Sequence, residues 1–87
     1  MFNTLNPKQR EVLQALVKDS EGNGHDFGII ENIKYANLGL TGQQFGAYFT
    51  QLNELGAFSS VDRVKVNGKD WITQYAFSDK AKTELKI

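Results

Sequence analysis

The architecture of this chain is decided by the stretch VKVNGKDW at residues 64–71. Asn67-Gly68 is a strong signal for a β-hairpin, because a two-residue type I′ turn needs positive φ at both central positions. Apolar and polar residues alternate on both sides of this dipeptide, from Ala57 to Phe77. The sequence therefore predicts a long antiparallel hairpin that turns at Asn67-Gly68.

Placing the turn at Asn67-Gly68 also predicts the register of the hairpin. The predicted pairs are Val66 with Lys69, Lys65 with Asp70, Val64 with Trp71, Asp62 with Thr73, Ser60 with Tyr75, and Phe58 with Phe77. Residues two apart share a face, which predicts one apolar face carrying Phe58, Val64, Val66, Trp71, Tyr75 and Phe77. The opposite face is predicted to carry Arg63, Lys65, Asp70 and Ile72. A shift of one residue would invert these faces.

A well-defined helix is predicted before the hairpin, from Thr41 to Leu55. Thr41 is a suitable N-cap, Gln44 completes a capping box, and Gly56 ends the helix. The apolar residues recur at steps of three and four, as Phe45, Tyr48, Phe49, Leu52 and Leu55. Gly42 and Gly46 lie one turn apart on this helix. Glycine is costly inside a helix, and this pair suggests close approach of another helix or of a partner.

Three more helices are predicted. The first starts at the N-cap Asn6, has Pro7 and a capping-box glutamine, and ends near residues 18–20. A second is predicted over residues 27–37, although residues 27–30 could equally form a short extended segment. The last is a short helix over residues 79–86, capped by Ser78. The predicted core consists of Leu16, Ile33, Phe45, Phe49 and Leu52.

Composition limits the classes of protein to which the chain can belong. It has 87 residues, 40% of them apolar, and ten basic residues balance ten acidic ones. That length suits a single domain with a small core. Cysteine is absent, which argues against a disulfide scaffold or a thiolate zinc site and favours a reducing compartment. No apolar run is long enough to cross a bilayer, and the first residues do not resemble a signal peptide. We therefore expect a cytoplasmic protein without a membrane partner.

Catalytic motifs are not evident in the sequence. There is a single histidine, His25, in the glycine-rich loop after the first helix, and it is interpreted as a surface residue. One histidine beside Asp26 offers too few ligands for a metal, and a nucleophile with its base would need unusual groups. No phosphate-binding glycine loop is present. We therefore expect neither enzymatic activity nor a metal or other cofactor.

Three segments resemble a known class of protein: LGLT (38–41), QLNELGAF (51–58) and QYAFSDKAK (74–82). Their caps and apolar positions resemble those of bacterial winged helix-turn-helix proteins of the MarR type, over residues 6–85. The resemblance implies an α+β fold: a three-helix bundle, a two-stranded β-hairpin wing and a short C-terminal helix, in a single domain over residues 1–87. The chain lacks the long additional helices through which MarR-type proteins dimerise.

The resemblance implies double-stranded DNA as the partner, bound by a monomer or a homodimer that regulates transcription. The recognition helix over residues 41–55 would enter the major groove and the wing over residues 61–75 would lie on the backbone. The implied nucleic-acid-binding residues are Thr41, Gln43, Gln44, Ala47, Gln51, Arg63, Lys65 and Lys69. Glutamine can bond both N6 and N7 of adenine, and the wing cations can neutralise phosphates.

A second function remains open, because the recognition helix carries no Lys or Arg and has an outward Glu54. There is no basic residue between Lys34 and Arg63, whereas residues 63–87 hold six basic and three acidic residues. The alternative is a winged-helix module that binds another protein through the neutral face of this helix. Such a protein could be a phage or mobile-element factor that modulates host machinery.

Overall fold

The computed structural model describes all 87 residues. The α-helices and β-strands are α1 (Pro7–Ser20), β1 (Phe27–Ile29), α2 (Gly42–Glu54), β2 (Phe58–Val66), β3 (Lys69–Phe77) and α3 (Asp79–Leu85). Short 3-10 turns span Glu21–Asn23, Ile30–Asn32 and Tyr35–Leu38. The strands form one antiparallel sheet in the order β1-β3-β2. The chain is therefore α+β, as predicted, and none of its helices has the length and apolar character needed to cross a membrane.

The predicted helix starts are confirmed by their hydrogen bonds. In α1, the Gln9 N–H donates to Asn6 Oδ1 and the Asn6 N–H donates to Gln9 Oε1, both at 2.8 Å. In α2, the reciprocal bonds between Thr41 and Gln44 measure 2.9 and 3.1 Å. These capping boxes satisfy backbone donors that have no partner within the helix, so each start is determined locally.

The predicted helix over residues 27–37 is wrong, and the extended alternative for its first residues is confirmed. Phe27–Ile29 forms β1, which pairs with β3 and places Gly28 opposite Tyr75. Two 3-10 turns follow it. A Cβ at residue 28 would overlap the Tyr75 hydroxyl and the Asp19 carboxylate, so this glycine lets the segment lie against the sheet. The pairing with β3 overrides the helical spacing of the apolar residues.

The hairpin turns where predicted, with φ of 52° at Asn67 and 79° at Gly68. Its register is confirmed at both ends, because Val64 lies opposite Trp71 and Phe58 lies opposite Phe77. Between these points the predicted pairs are wrong. The structure pairs Ser60 with Ala76 and Asp62 with Gln74. The register leaves Ser59 as an extra residue in β2 and Thr73 as an extra residue in β3, which are two β-bulges.

The two bulges have a clear physical reason. The regular register would have placed Ser60 and Asp62 on the face that carries Tyr75, where a buried carboxylate is costly. Instead Val61 lies opposite Tyr75 and packs against the core, while Ser60 and Asp62 are exposed. The polar residues of β2 therefore stay in water.

The bulge at Thr73 changes the faces of the outer half of the hairpin. Arg63 lies opposite Ile72, as the predicted register has it, but Ile72 packs against the core, and opposed residues share a face. The prediction of one continuous apolar face is therefore wrong beyond Thr73. The side chains that it placed inward are exposed at 47% for Val64, 47% for Val66 and 49% for Trp71.

The core lies between α1, α2 and the inner half of the sheet. All five predicted core residues are buried in it: Leu16, Ile33, Phe45, Phe49 and Leu52. Phe49 stacks on Phe58 with ring centroids 4.4 Å apart. Tyr75, 1% exposed, packs edge-on against both rings. The core thus fixes α2 on the sheet and determines the space between α2 and the hairpin.

Candidate functional site

A groove of about 560 Å³ separates α2 from the outer half of the hairpin. We call it the α2–hairpin groove. Its lining residues are Gly42, Gln43, Phe45, Gly46 and Thr50 of α2, Arg63 of β2, Lys69, Asp70, Trp71 and Ile72 of β3, and Ile30 and Tyr35 of the 3-10 turns. The aromatic ring of Tyr35 stacks on Phe45, with ring centroids 5.7 Å apart.

Three of the sequence-predicted site residues meet in this groove: Gln43, Arg63 and Lys69. The other five do not line it, although all are exposed on the surface: Thr41, Gln44, Ala47, Gln51 and Lys65. The structure therefore brings together one glutamine of α2 and two of the hairpin cations.

Several of the predicted contact residues already have partners within the chain. The Thr41 hydroxyl and the Gln44 amide oxygen are used in the α2 capping box. The Gln51 amide oxygen accepts a hydrogen bond of 2.8 Å from Gln9 Nε2. Gln43 is exposed and its side chain makes no hydrogen bond, so it is the α2 glutamine best able to contact another molecule.

The hairpin carries three cations that form no ion pair, together with two carboxylates, Asp62 and Asp70. Arg63, Lys65 and Lys69 are exposed, and they belong to none of the ion pairs of the chain. Lys65 lies opposite Asp70 in the register but makes no ion pair with it. The neighbouring helix α2 contributes no positive charge. The hairpin therefore has a net charge of +1, from three cations and two carboxylates.

The groups with shifted pKa lie outside the α2–hairpin groove. Burial, with the hydrogen bond and charge of Asp19, raises the pKa of Tyr75 well above its ordinary value. A hydrogen bond to Asp26 raises the pKa of Lys82, and the Phe2 N–H lowers the pKa of Glu84. These shifts accompany contacts that stabilise the fold.

The sequence did not identify several of the groove residues. The sequence does single out Gly46, through its spacing from Gly42, and Thr50 lies on the same side of α2 at helical spacing from Gln43. The predicted apolar face includes Trp71 together with the core residues Tyr75 and Phe77, and this is wrong, because the Trp71 side chain is half exposed at the edge of the groove. His25 was expected at the surface but is half-buried, with Nδ1 3.4 Å from Ser20 Oγ.

The groove combines two cations, a carboxylate and an amide with apolar and aromatic side chains. A guanidinium and an ammonium group can bind phosphate oxygens, and an amide can bond to a base edge. An exposed indole ring adds apolar contact area. Comparison of the chain with family models, curated proteins and solved structures found no match. The groove and the charges beside it are therefore the features that bear on its function.

Proposed function

We propose that this protein binds double-stranded DNA as a winged helix, with α2 directed toward the major groove and the hairpin toward the neighbouring backbone. The observation that carries the proposal is the set of exposed, unpaired cations on the hairpin, Arg63, Lys65 and Lys69, two of which line the groove beside α2. Neutralisation of phosphates supplies most non-specific affinity for DNA. The role agrees with the cytoplasmic location expected from the sequence.

The order of the elements also supports the proposal. A capped helix with an exposed polar face precedes a long hairpin, and the core holds both in a fixed relation. An α-helix fits the major groove of B-DNA. This argument is one of architecture, and the same architecture can serve other functions. The hairpin charges are what favour DNA.

The small number of cations determines how tightly DNA can be held. Each phosphate contact contributes about −0.9 to the slope of log affinity against log salt, so three contacts give about −2.7. Binding by a monomer should therefore be weak at physiological salt. A homodimer on two half-sites would double the number of contacts.

The direct test is a titration of labelled duplex at several salt concentrations. The parent is compared with a triple variant, Arg63→Gln, Lys65→Gln and Lys69→Gln. The matched control is Lys18→Gln, Lys80→Gln and Lys86→Gln, which removes three exposed, unpaired lysines elsewhere. The proposal expects the hairpin variant to lose affinity for all sequences and to give a flatter salt slope. The control should keep most of the parent's affinity and most of its salt slope. Absence of binding by the folded parent at about 50 mM salt, where phosphate contacts are strong, would refute it.

A second function, binding of another protein, is favoured by a different observation. Val64, Val66 and Trp71 form an apolar patch on the hairpin, and each is about half exposed. The patch is small compared with the ~800 Å² per partner of a typical stable interface, so a partner would also have to contact α2. If the protein has this function, it should not bind DNA at low salt. Its binding to the partner protein should be lost when Gln43, Ala47, Gln51 or Glu54 is changed.

A further inference from the structure

Gly46 lies in the middle of α2, and packing within the chain does not require a glycine there. A Cβ at this position would meet no atom within 4 Å. Gly28 differs, since its Cβ would overlap Tyr75 and Asp19, and a Cβ at Gly42 would lie 3.2 Å from the Tyr35 hydroxyl. Glycine destabilises a helix interior relative to alanine. The fold therefore bears a cost at residue 46 without a benefit in its own packing.

Gly46 faces the α2–hairpin groove, between Gln43 and Thr50 on its own helix. The Thr50 hydroxyl donates to the Gly46 carbonyl oxygen at 3.0 Å, so this carbonyl already has a side-chain partner. Arg63 and Lys69 line the groove with a single carboxylate, Asp70. The groove thus combines an open helix surface with an excess of positive charge.

We propose that the α2–hairpin groove holds the sugar–phosphate backbone of one DNA strand, which passes over Gly46 toward Arg63 and Lys69. The inference rests on the proposed function. In a duplex one strand backbone separates the major groove from the minor groove. A protein with α2 in the major groove and its hairpin across the backbone must therefore leave room for that strand. At Gly46, the missing side chain provides this room.

The charges favour a strand of DNA over a second copy of this chain. The groove offers two cations, and a phosphodiester backbone presents negative charge at every nucleotide. A second copy could meet these cations only with carboxylates that are spread over several elements, such as Glu31, Glu54 and Asp62, and its hairpin would bring further cations. Trp71, at the edge of the groove, would contact the deoxyribose.

The test uses Gly46→Ala, with Gly22→Ala as the matched control. Gly22 also has no atom within 4 Å of a built Cβ, and it lies in the turn after α1, away from the groove. Gly46→Ala should raise the melting temperature by up to about 4–8 °C, because alanine favours the helix. It should weaken duplex binding about tenfold, equivalent to the loss of one charge-assisted hydrogen bond. Gly22→Ala should leave the affinity unchanged.

Other outcomes separate this inference from the proposed function. If Gly46→Ala is more stable but binds duplex as tightly as the parent, the strand does not pass over Gly46, even where the hairpin variant loses binding. If the parent binds no duplex at low salt, the proposed function fails, and the strand assignment fails with it. If the parent sediments as a dimer and Gly46→Ala as a monomer, the groove holds a second copy and the inference is overturned.

Discussion

Gly28 of β1 lies directly against the hydroxyl group of Tyr75 in β3, and no side chain fits between them. The Tyr75 hydroxyl is 2.6 Å from the Leu16 carbonyl oxygen and 2.9 Å from Asp19 Oδ2. One residue of the sheet is thereby joined to the last turns of α1. The contact explains why the segment after α1 is a strand.

Gly28→Ala should strongly destabilise the fold. The added methyl group would overlap the Tyr75 hydroxyl and the Asp19 carboxylate, and overpacking of this kind costs about 1–3 kcal/mol. Denaturant unfolding of this variant beside Gly22→Ala measures the effect. Equal midpoints for the two variants would show that β1 does not pack against Tyr75 in this way.

Tyr75 should make the stability depend on alkaline pH. Burial raises the pKa of its phenol in the folded state, so the folded protein holds this proton more tightly than the unfolded chain does. The resulting stabilisation is complete below about pH 10, the ordinary tyrosine pKa, and decreases as the pH rises above it. Unfolding free energies measured between pH 8 and pH 11 give the slope.

The variant that tests this pH dependence is Tyr75→Phe. It should be less stable than the parent at neutral pH, by about 1–3 kcal/mol, because the buried acceptors lose their donor. Its unfolding free energy should also decrease less steeply than that of the parent between pH 8 and pH 11, because the phenol that titrates is absent. Tyr48→Phe is the control, since the Tyr48 hydroxyl makes no hydrogen bond within the chain. A parent and a Tyr75→Phe variant with identical pH slopes would contradict the prediction.

Leu52→Ala should cost about 2–5 kcal/mol, as is typical for a buried leucine. Leu52 is fully buried between α2 and the rest of the core. Leu55, the C-cap residue of α2, is 40% exposed, so Leu55→Ala is the control and should have a smaller effect. Thermal unfolding of both variants compares a buried leucine of α2 with an exposed leucine at the end of the helix. A larger effect at Leu55 than at Leu52 would contradict the burial of Leu52 in the core.

Gln43→Ala should reduce sequence preference on DNA without changing the salt slope. Loss of one bidentate contact to a base costs about 1–3 kcal/mol of discrimination, while phosphate contacts remain. Gln44→Ala should instead lower stability, because the Gln44 side chain completes the α2 capping box. Titrations against a preferred and a scrambled duplex, with melting curves, distinguish these effects. A Gln43→Ala protein with unchanged preference would exclude base reading by this residue.

The sequence predicted the features that depend on neighbouring residues. The capping boxes at Asn6 and Thr41 and the turn at Asn67-Gly68 each need only a few consecutive residues, and all three are confirmed. Strand β1 was left as an alternative because it exists only through pairing with β3, far along the chain. Its apolar residues have a spacing that suits a helix equally well.

The candidate groove was less predictable than the fold. The bulges at Ser59 and Thr73 leave no clear mark in the alternation of apolar and polar residues, yet they decide which side chains of the hairpin face α2. Two of the predicted cations, Arg63 and Lys69, line the groove, and Lys65 does not. The exposure of Trp71 could not be anticipated, because it follows from the shift at Thr73.

The position of Trp71 makes its intrinsic fluorescence a probe of the α2–hairpin groove. It is the only tryptophan in the chain, and in the folded state about half of its side chain is in contact with water. Unfolding therefore changes the surroundings of the indole less than it would for a buried ring. A molecule that enters the groove would shield the indole from water. Fluorescence at this residue should thus follow occupancy of the groove, while circular dichroism of the same sample follows folding.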